Sequence, residues 1–190
     1  MRDSFIQSLI TIAKEDKDLV LLTGDLGFGI FDEFESMFPG QYFNVGVAEQ
    51  NLTSIASGLA LEGKKVFTYS LGNFPTLRCL EQIRNDACYH DLNVNIVASG
   101  GGFSYGQLGM SHHATEDISI MRALPNVTVV VPSNPWEAAH ATRELYASEG
   151  VGYLRIDKTN GIQENSEDVF KIGKSISIQN GNDVCFVVCG

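Results

Sequence analysis

The sequence of 190 residues has no apolar run near the roughly 20 that a membrane-spanning helix needs. No signal-like pattern follows Met1-Arg2-Asp3. The four cysteines, Cys79, Cys88, Cys185 and Cys189, form neither a C-x-x-C pair nor a zinc spacing. They read as reduced thiols, and a cytoplasmic protein is expected. Positive charge is scarce as well. Thirteen Lys and Arg stand against 23 Asp and Glu, giving a formal net charge of -10. That balance disfavours nucleic acid and anionic membranes as partners, although it leaves room for a local basic site that meets a phosphorylated small molecule. Internal repeats and low-complexity segments are absent too. The composition that remains, 44% hydrophobic and 19% charged, is that of a folded soluble protein. The length fits one full domain with a fragment of another.

Strand-length apolar runs alternate with helix-length amphipathic segments. Phe5, Leu9, Ile12 and Ala13 predict an opening helix. "LVLLT" (19–23) is the continuous apolar run of a strand buried on both faces. In "FNVGV" (43–47), Phe43, Val45 and Val47 alternate with Asn44 and Gly46, and "AEQNLTSIASGLALEG" then takes helical spacing, with Gly63 as its stop. "VFTYS" (66–70), "VNIVAS" (94–99), "VTVVVP" (127–132) and "VGYLRI" (151–156) read as further strands. "LRCLEQIRNDACYH" (77–90) and "IMRAL" (120–124) read as helices. A last helix begins at Asn134 as cap, with Pro135 in its first position. Strands alternating with helices predict an α/β fold, a mostly parallel sheet with helices on both faces. In such folds ligands gather at the carboxyl ends of the strands. From about Ile162 an acidic, linker-like stretch leads into what reads as a hairpin and a strand. Residues 1–161 are therefore expected to form one domain, and 162–190 a linker with the first strands of a second.

Few short motifs survive inspection. "GDLGFG" places glycines at 24, 27 and 29, which is not the G-x-G-x-x-G order, so a permissive βα turn is the simpler reading. "GKS" (173–175) has Asp168 where a phosphate loop needs its first glycine. His112 and His113 are adjacent, so they point apart on either a strand or a helix, and a shared metal is disfavoured. On spacing alone, Arg78, Arg84, His90 and His140 read as surface residues. Glu49 sits where strand gives way to helix. An acid there gains about 0.3–1 kcal/mol from the helix dipole, which is a sufficient reason for its presence.

Taken together, "YFNVGVAEQNLTSIASGLALEG", "EQIRNDACY" and "GMSHHATEDISIMRALPNVTVVVPSNPWEA" resemble the pyrimidine-binding domain of transketolase-like, thiamine-diphosphate-dependent enzymes. The likeness runs from "LLTGDLG" to about "YLRIDK" and is nearest to the C-terminal half of split bacterial transketolases. It implies that Glu49 hydrogen-bonds N1′ of the cofactor's aminopyrimidine and shares a proton with it. Such a role needs a carboxyl kept out of water, and the cofactor supplies the electron sink. It further implies that Asp25 and Leu26 lie beside the cofactor, that Phe74 or Tyr69 stacks on the pyrimidine, and that His112 meets the substrate's reacting oxygens. Arg78 would meet a substrate phosphate, or remain a surface charge. Gln107-Leu108 stand where relatives carry acidic residues.

The family holds Mg2+ and the diphosphate through a Gly-Asp-Gly motif in a separate domain, and "GDLG" is not that motif. The resemblance thus implies half an active site, with no metal ligand in this chain. An N-terminal transketolase subunit carrying the diphosphate-binding domain would complete it. A homodimer within a heterotetramer is the expected assembly, and ketol transfer between sugar phosphates the expected activity. The alternatives are a β subunit of an E1-type 2-oxo acid dehydrogenase, a deoxyxylulose-phosphate-synthase-like enzyme, or a non-catalytic assembly or regulatory subunit.

Overall fold

The computed structural model describes residues 1–157 and 170–190. Its centre is a six-stranded sheet in the order β2-β1-β3-β4-β6-β5. The strands are β1 (Leu19–Thr23), β2 (Tyr42–Asn44), β3 (Lys65–Leu71), β4 (Val94–Ser99), β5 (Val127–Val130) and β6 (Val151–Ile156), and every pairing is parallel. Among the described residues six α-helices accompany them: α1 (Arg2–Glu15), α2 (Asp32–Met37), α3 (Glu49–Leu61), α4 (Leu80–Gln82), α5 (Asp117–Ala123) and α6 (Pro135–Ala147). The expected α/β architecture is therefore present.

The period of two along each strand divides the apolar residues between two cores. Leu19, Leu21, Phe67, Tyr69, Val97 and Leu154 face α1 and α6, where Phe5, Leu9, Ala141 and Leu145 meet them. Val20, Leu22, Val66, Ile96 and Tyr153 face the other way, against Leu52 and Ala56 of α3, Ile83, Ala87 and Met121 of α5. Each fully buried large apolar side chain contributes about 1.5–3 kcal/mol, and this two-sided burial explains why β1 reads as a continuous apolar run.

The helix boundaries follow local chemistry. Asn134 Oδ1 accepts the Glu137 amide at 2.9 Å, while the Glu137 carboxylate accepts from the Ser133 amide at 2.7 Å. This reciprocal cap fixes the start of α6 behind Pro135. At the end of α3, Gly63 takes φ +86 and its amide bonds to Ala60 O, a left-handed stop that suits glycine.

Four segments differ from the sequence expectation. β2 is shorter than its alternation suggests, because Val45 makes one last bond to Thr23 O before Gly46 turns the chain at φ +76. The helix α2 is too short for its periodicity to register. The run expected as one helix through "LRCLEQIRNDACYH" winds as a 3-10 turn (Leu77–Cys79), α4, and a π segment (Ile83–Cys88). Residues 170–190 contain no strand where a hairpin and strand were expected, and most of them are exposed. The expected linker start at Ile162 and the dismissed Asp168 lie outside the described residues. Among the described residues no helix is long and apolar enough to cross a membrane.

Candidate functional site

The carboxyl ends of β1, β2, β3 and β4 all release polar, glycine-bearing loops toward one edge of the sheet. Glu49 opens α3 there, directly after β2 and its turn. It is only 1% exposed. Oε1 accepts the Ser70 hydroxyl from the end of β3 at 3.2 Å, and Oε2 accepts the Arg78 guanidinium at 2.7 Å. A buried carboxylate with both oxygens partnered is more than a solvated helix-start acid. Gly24 completes the wall, with room beside it that a larger side chain would fill: a Cβ there would stand 3.6 Å from Oε1.

Phe74 lies in the loop after β3 and is partly buried. The Arg78 guanidinium carbon stands 4.7 Å from the centroid of its ring, a cation–π contact. On another side the His112 ring meets Phe74 edge-on, with centroids 4.9 Å apart. Four of the residues singled out from the sequence, Glu49, Phe74, Arg78 and His112, thus form one continuous cluster. Arg78, expected at a substrate phosphate or on the open surface, pairs with Glu49 while its side chain stays 47% exposed.

His112 sits on the long glycine loop after β4. An antiparallel bridge between Gly102 and Ala114 closes that loop at its base. Ser111 Oγ lies 3.0 Å from His112 Nδ1, and the Tyr105 ring 5.9 Å from the imidazole. His113 turns elsewhere, with Nε2 2.9 Å from Gly106 O. Beyond the loop, the start of α5 is tied to β6: the buried Asp117 accepts Tyr153 Oη at 2.5 Å and Arg155 Nη1 at 3.2 Å. Burial, then the charge and hydrogen bond of Asp117, pushes the Tyr153 phenol well above its ordinary value.

Asp25 lies at the same edge in a left-handed conformation, φ 60. Asn44 explains it: Asn44 Oδ1 accepts the Asp25 amide at 2.9 Å, and Asn44 Nδ2 donates to Asp25 Oδ1 at 3.0 Å. Aspartate tolerates this backbone when its polar atoms are so engaged. Leu26 follows, partly buried. Tyr69 is not in the cluster. It is 1% exposed, packed on Phe31 edge-to-face at 4.8 Å and beside Phe5, in the core that faces α1. Its neighbour Ser70 takes the opposite face, toward Glu49, so the strand's period of two separates Tyr69 from the site.

Two contributors escaped the sequence reading. Ser70 could have been found by that same alternation, since it lies one residue from Tyr69 and shares the face of Val66. Cys79 had no sequence signal. Its Sγ donates to Phe74 O at 3.3 Å, and burial, reinforced by the charge of Glu49, pushes its thiol up to about 11. Among the described residues no group of three or more His, Cys, Asp or Glu could hold a metal ion.

Comparison with known proteins bears on this geometry. The model of the transketolase pyrimidine-binding domain matches residues 1–162. A protein of Methanocaldococcus jannaschii named as a transketolase C-terminal section is 39% identical over the whole chain, which spans 61% of that relative's length. One of the subunits of the apulose-4-phosphate transketolase of Phocaeicola vulgatus is 33% identical, again over the whole chain and 62% of the relative. A solved split-gene transketolase, described as an inactive beta4 tetramer, superposes with a TM-score of 0.75 at 34% identity, covering 93% of this chain and 55% of its own. The family model spans residues 1–162 and the archaeal relative aligns over the whole chain: the chain belongs to the transketolase pyrimidine-binding domain family.

Proposed function

We propose that this chain is the pyrimidine-domain subunit of a two-chain, thiamine-diphosphate-dependent transketolase that moves two-carbon ketol units between sugar phosphates. The observation that carries the reading is the buried Glu49 carboxyl linked through Arg78 to the Phe74 ring, at the ligand edge of a parallel sheet. This donor set fits an aminopyrimidine: an acid for a ring nitrogen and an aromatic face for the ring. Glu49 would hold and share a proton at that nitrogen, with Ser70 fixing the carboxyl's orientation through Oε1. Phe74 would set the plane of the ring, and Asp25 and Leu26 would border it. His112, seated against Phe74, would meet the oxygens of the sugar. The bound cofactor supplies the electron sink at its thiazolium, and the protein supplies orientation and the proton relay.

The Mg2+ ion and the diphosphate would be held by an N-terminal partner subunit, in an assembly built on a dimer of such pairs. The names of the relatives support this division, since they are called C-terminal sections and subunits. A 1-deoxy-D-xylulose-5-phosphate synthase of Halothermothrix orenii, 28% identical, supports a second reading in which the acceptor differs while Glu49 and Phe74 keep their roles.

The deciding experiment is co-expression with a partner chain that carries a diphosphate-binding domain. Ketol transfer dependent on both chains, thiamine diphosphate and Mg2+ is expected. Tight, Mg2+-dependent cofactor binding by this chain alone would sink the half-site reading.

A further inference from the structure

We infer that the Arg78 guanidinium stands in for the ligand ring: it occupies the place between Glu49 and Phe74 in the unloaded chain and leaves when the ring binds. This rests on the functional reading above and adds a competitor built into the site. Both oxygens of Glu49 are engaged and the residue is 1% exposed, so a ligand that needs Oε2 competes with Arg78 for it. The guanidinium is planar, presents N–H donors in its plane, and offers a flat face to an aromatic ring. Here it uses both properties, bonding Oε2 at 2.7 Å and lying 4.7 Å from the Phe74 centroid. An aminopyrimidine held by the same two residues needs the same oxygen and the same ring.

The partners differ in how readily they yield. Ser70 is fixed in the β3 ladder, and Glu49 in the first turn of α3, wedged against the sheet. Arg78 stands in the short 3-10 turn Leu77–Cys79, and its side chain is 47% exposed on a long flexible stem. It can swing into water without disturbing the core. While it stays, it spares a buried carboxylate from being left without a partner, which is costly. The arrangement keeps Glu49 partnered until cofactor and partner arrive together.

The test is calorimetric titration of thiamine diphosphate, with Mg2+, into the two-chain complex. Wild type is compared with Arg78→Ala and with Arg78→Met, which keeps the apolar stem. Removal of the competitor should tighten binding by about two- to fivefold, the scale of a partly exposed ion pair. Millimolar methylguanidinium should weaken binding to Arg78→Ala and leave wild type unchanged, because the small cation refills the vacated place. In a crystal structure of the loaded complex, Arg78 should be turned away from Glu49. Wild-type binding with equal or weaker binding by both variants overturns the inference alone, as does Arg78 remaining on Oε2 beside a bound ring. Failure of the wild-type complex to bind the cofactor at all removes the functional reading and this inference with it.

Discussion

A Cβ on Gly72 would stand 2.5 Å from the carbonyl oxygen of His112. The end of β3 and the histidine loop are therefore in contact at a spacing only glycine permits, two residues before Phe74. Gly72 also takes φ +50, a backbone that costs an L residue roughly 1–2 kcal/mol. Gly72→Ala is expected to push the loop away from Phe74. The kcat/KM for sugar should then fall while cofactor affinity changes little, with a lower melting temperature. Unchanged sugar kinetics would mean that the loop's seat does not position His112.

Tyr69 and Phe74 separate stacking from packing. Phe74→Ala should weaken cofactor binding by about tenfold, the loss of one stacked aromatic face, and leave thermal unfolding nearly in place. Tyr69→Ala removes a fully buried ring from between Phe5 and Phe31 and should cost about 3–5 kcal/mol in stability. Paired denaturation and calorimetry give the contrast, and the opposite pattern would return the stacking role to Tyr69.

Most of the fold was legible because its central strands are buried on both faces and α6 carries a cap that the sequence displays. "LVLLT", "VNIVAS" and Asn134-Pro135 each announce one physical condition. Glu49 was legible only through the motifs around it, since an acid at a helix start has an adequate local explanation. What stayed hidden depends on three-dimensional partners. Arg78 reads as a surface charge until the 3-10 turn aims it at Glu49. The π segment Ile83–Cys88 keeps the apolar spacing of an ordinary helix, so periodicity gives no sign of its pitch. Tyr69 and Phe74 were both plausible rings because alternation along β3 decides between them only once the face bearing Glu49 is known.

Buried thiols give a pH-dependent prediction. Burial pushes both Cys79 and Cys88 from 9.0 up to about 11. At pH 8 only about one in a thousand of each is ionised, and the thiolate is the reactive form. Iodoacetamide should label the exposed Cys185 and Cys189 well before either. The sign of the linkage follows from the raised values. Stability conferred by burying neutral thiols is intact below pH 9 and is lost as pH rises through about 11. Rapid alkylation of Cys79 in the folded chain at pH 8 would contradict this environment.

Glu49 and His112 should fail in different ways, and the difference tests their assigned roles. Glu49→Gln keeps the shape of the side chain and its place beside Ser70 but cannot share a proton as the acid does. In the two-chain complex, turnover should fall by about two to four decades, the usual worth of a positioned acid–base group. Unfolding should shift only modestly, because Arg78 is half exposed and can turn to water. His112→Ala should leave cofactor affinity within a few-fold of wild type and lower kcat/KM for the sugar, since the imidazole borders Phe74 without touching Glu49's oxygens. Near-normal turnover in Glu49→Gln would reduce Glu49 to a buried ion-pair partner. Equal losses of cofactor and sugar binding in His112→Ala would make His112 part of the cofactor's seat, so calorimetry and steady-state kinetics on the same two preparations decide both assignments.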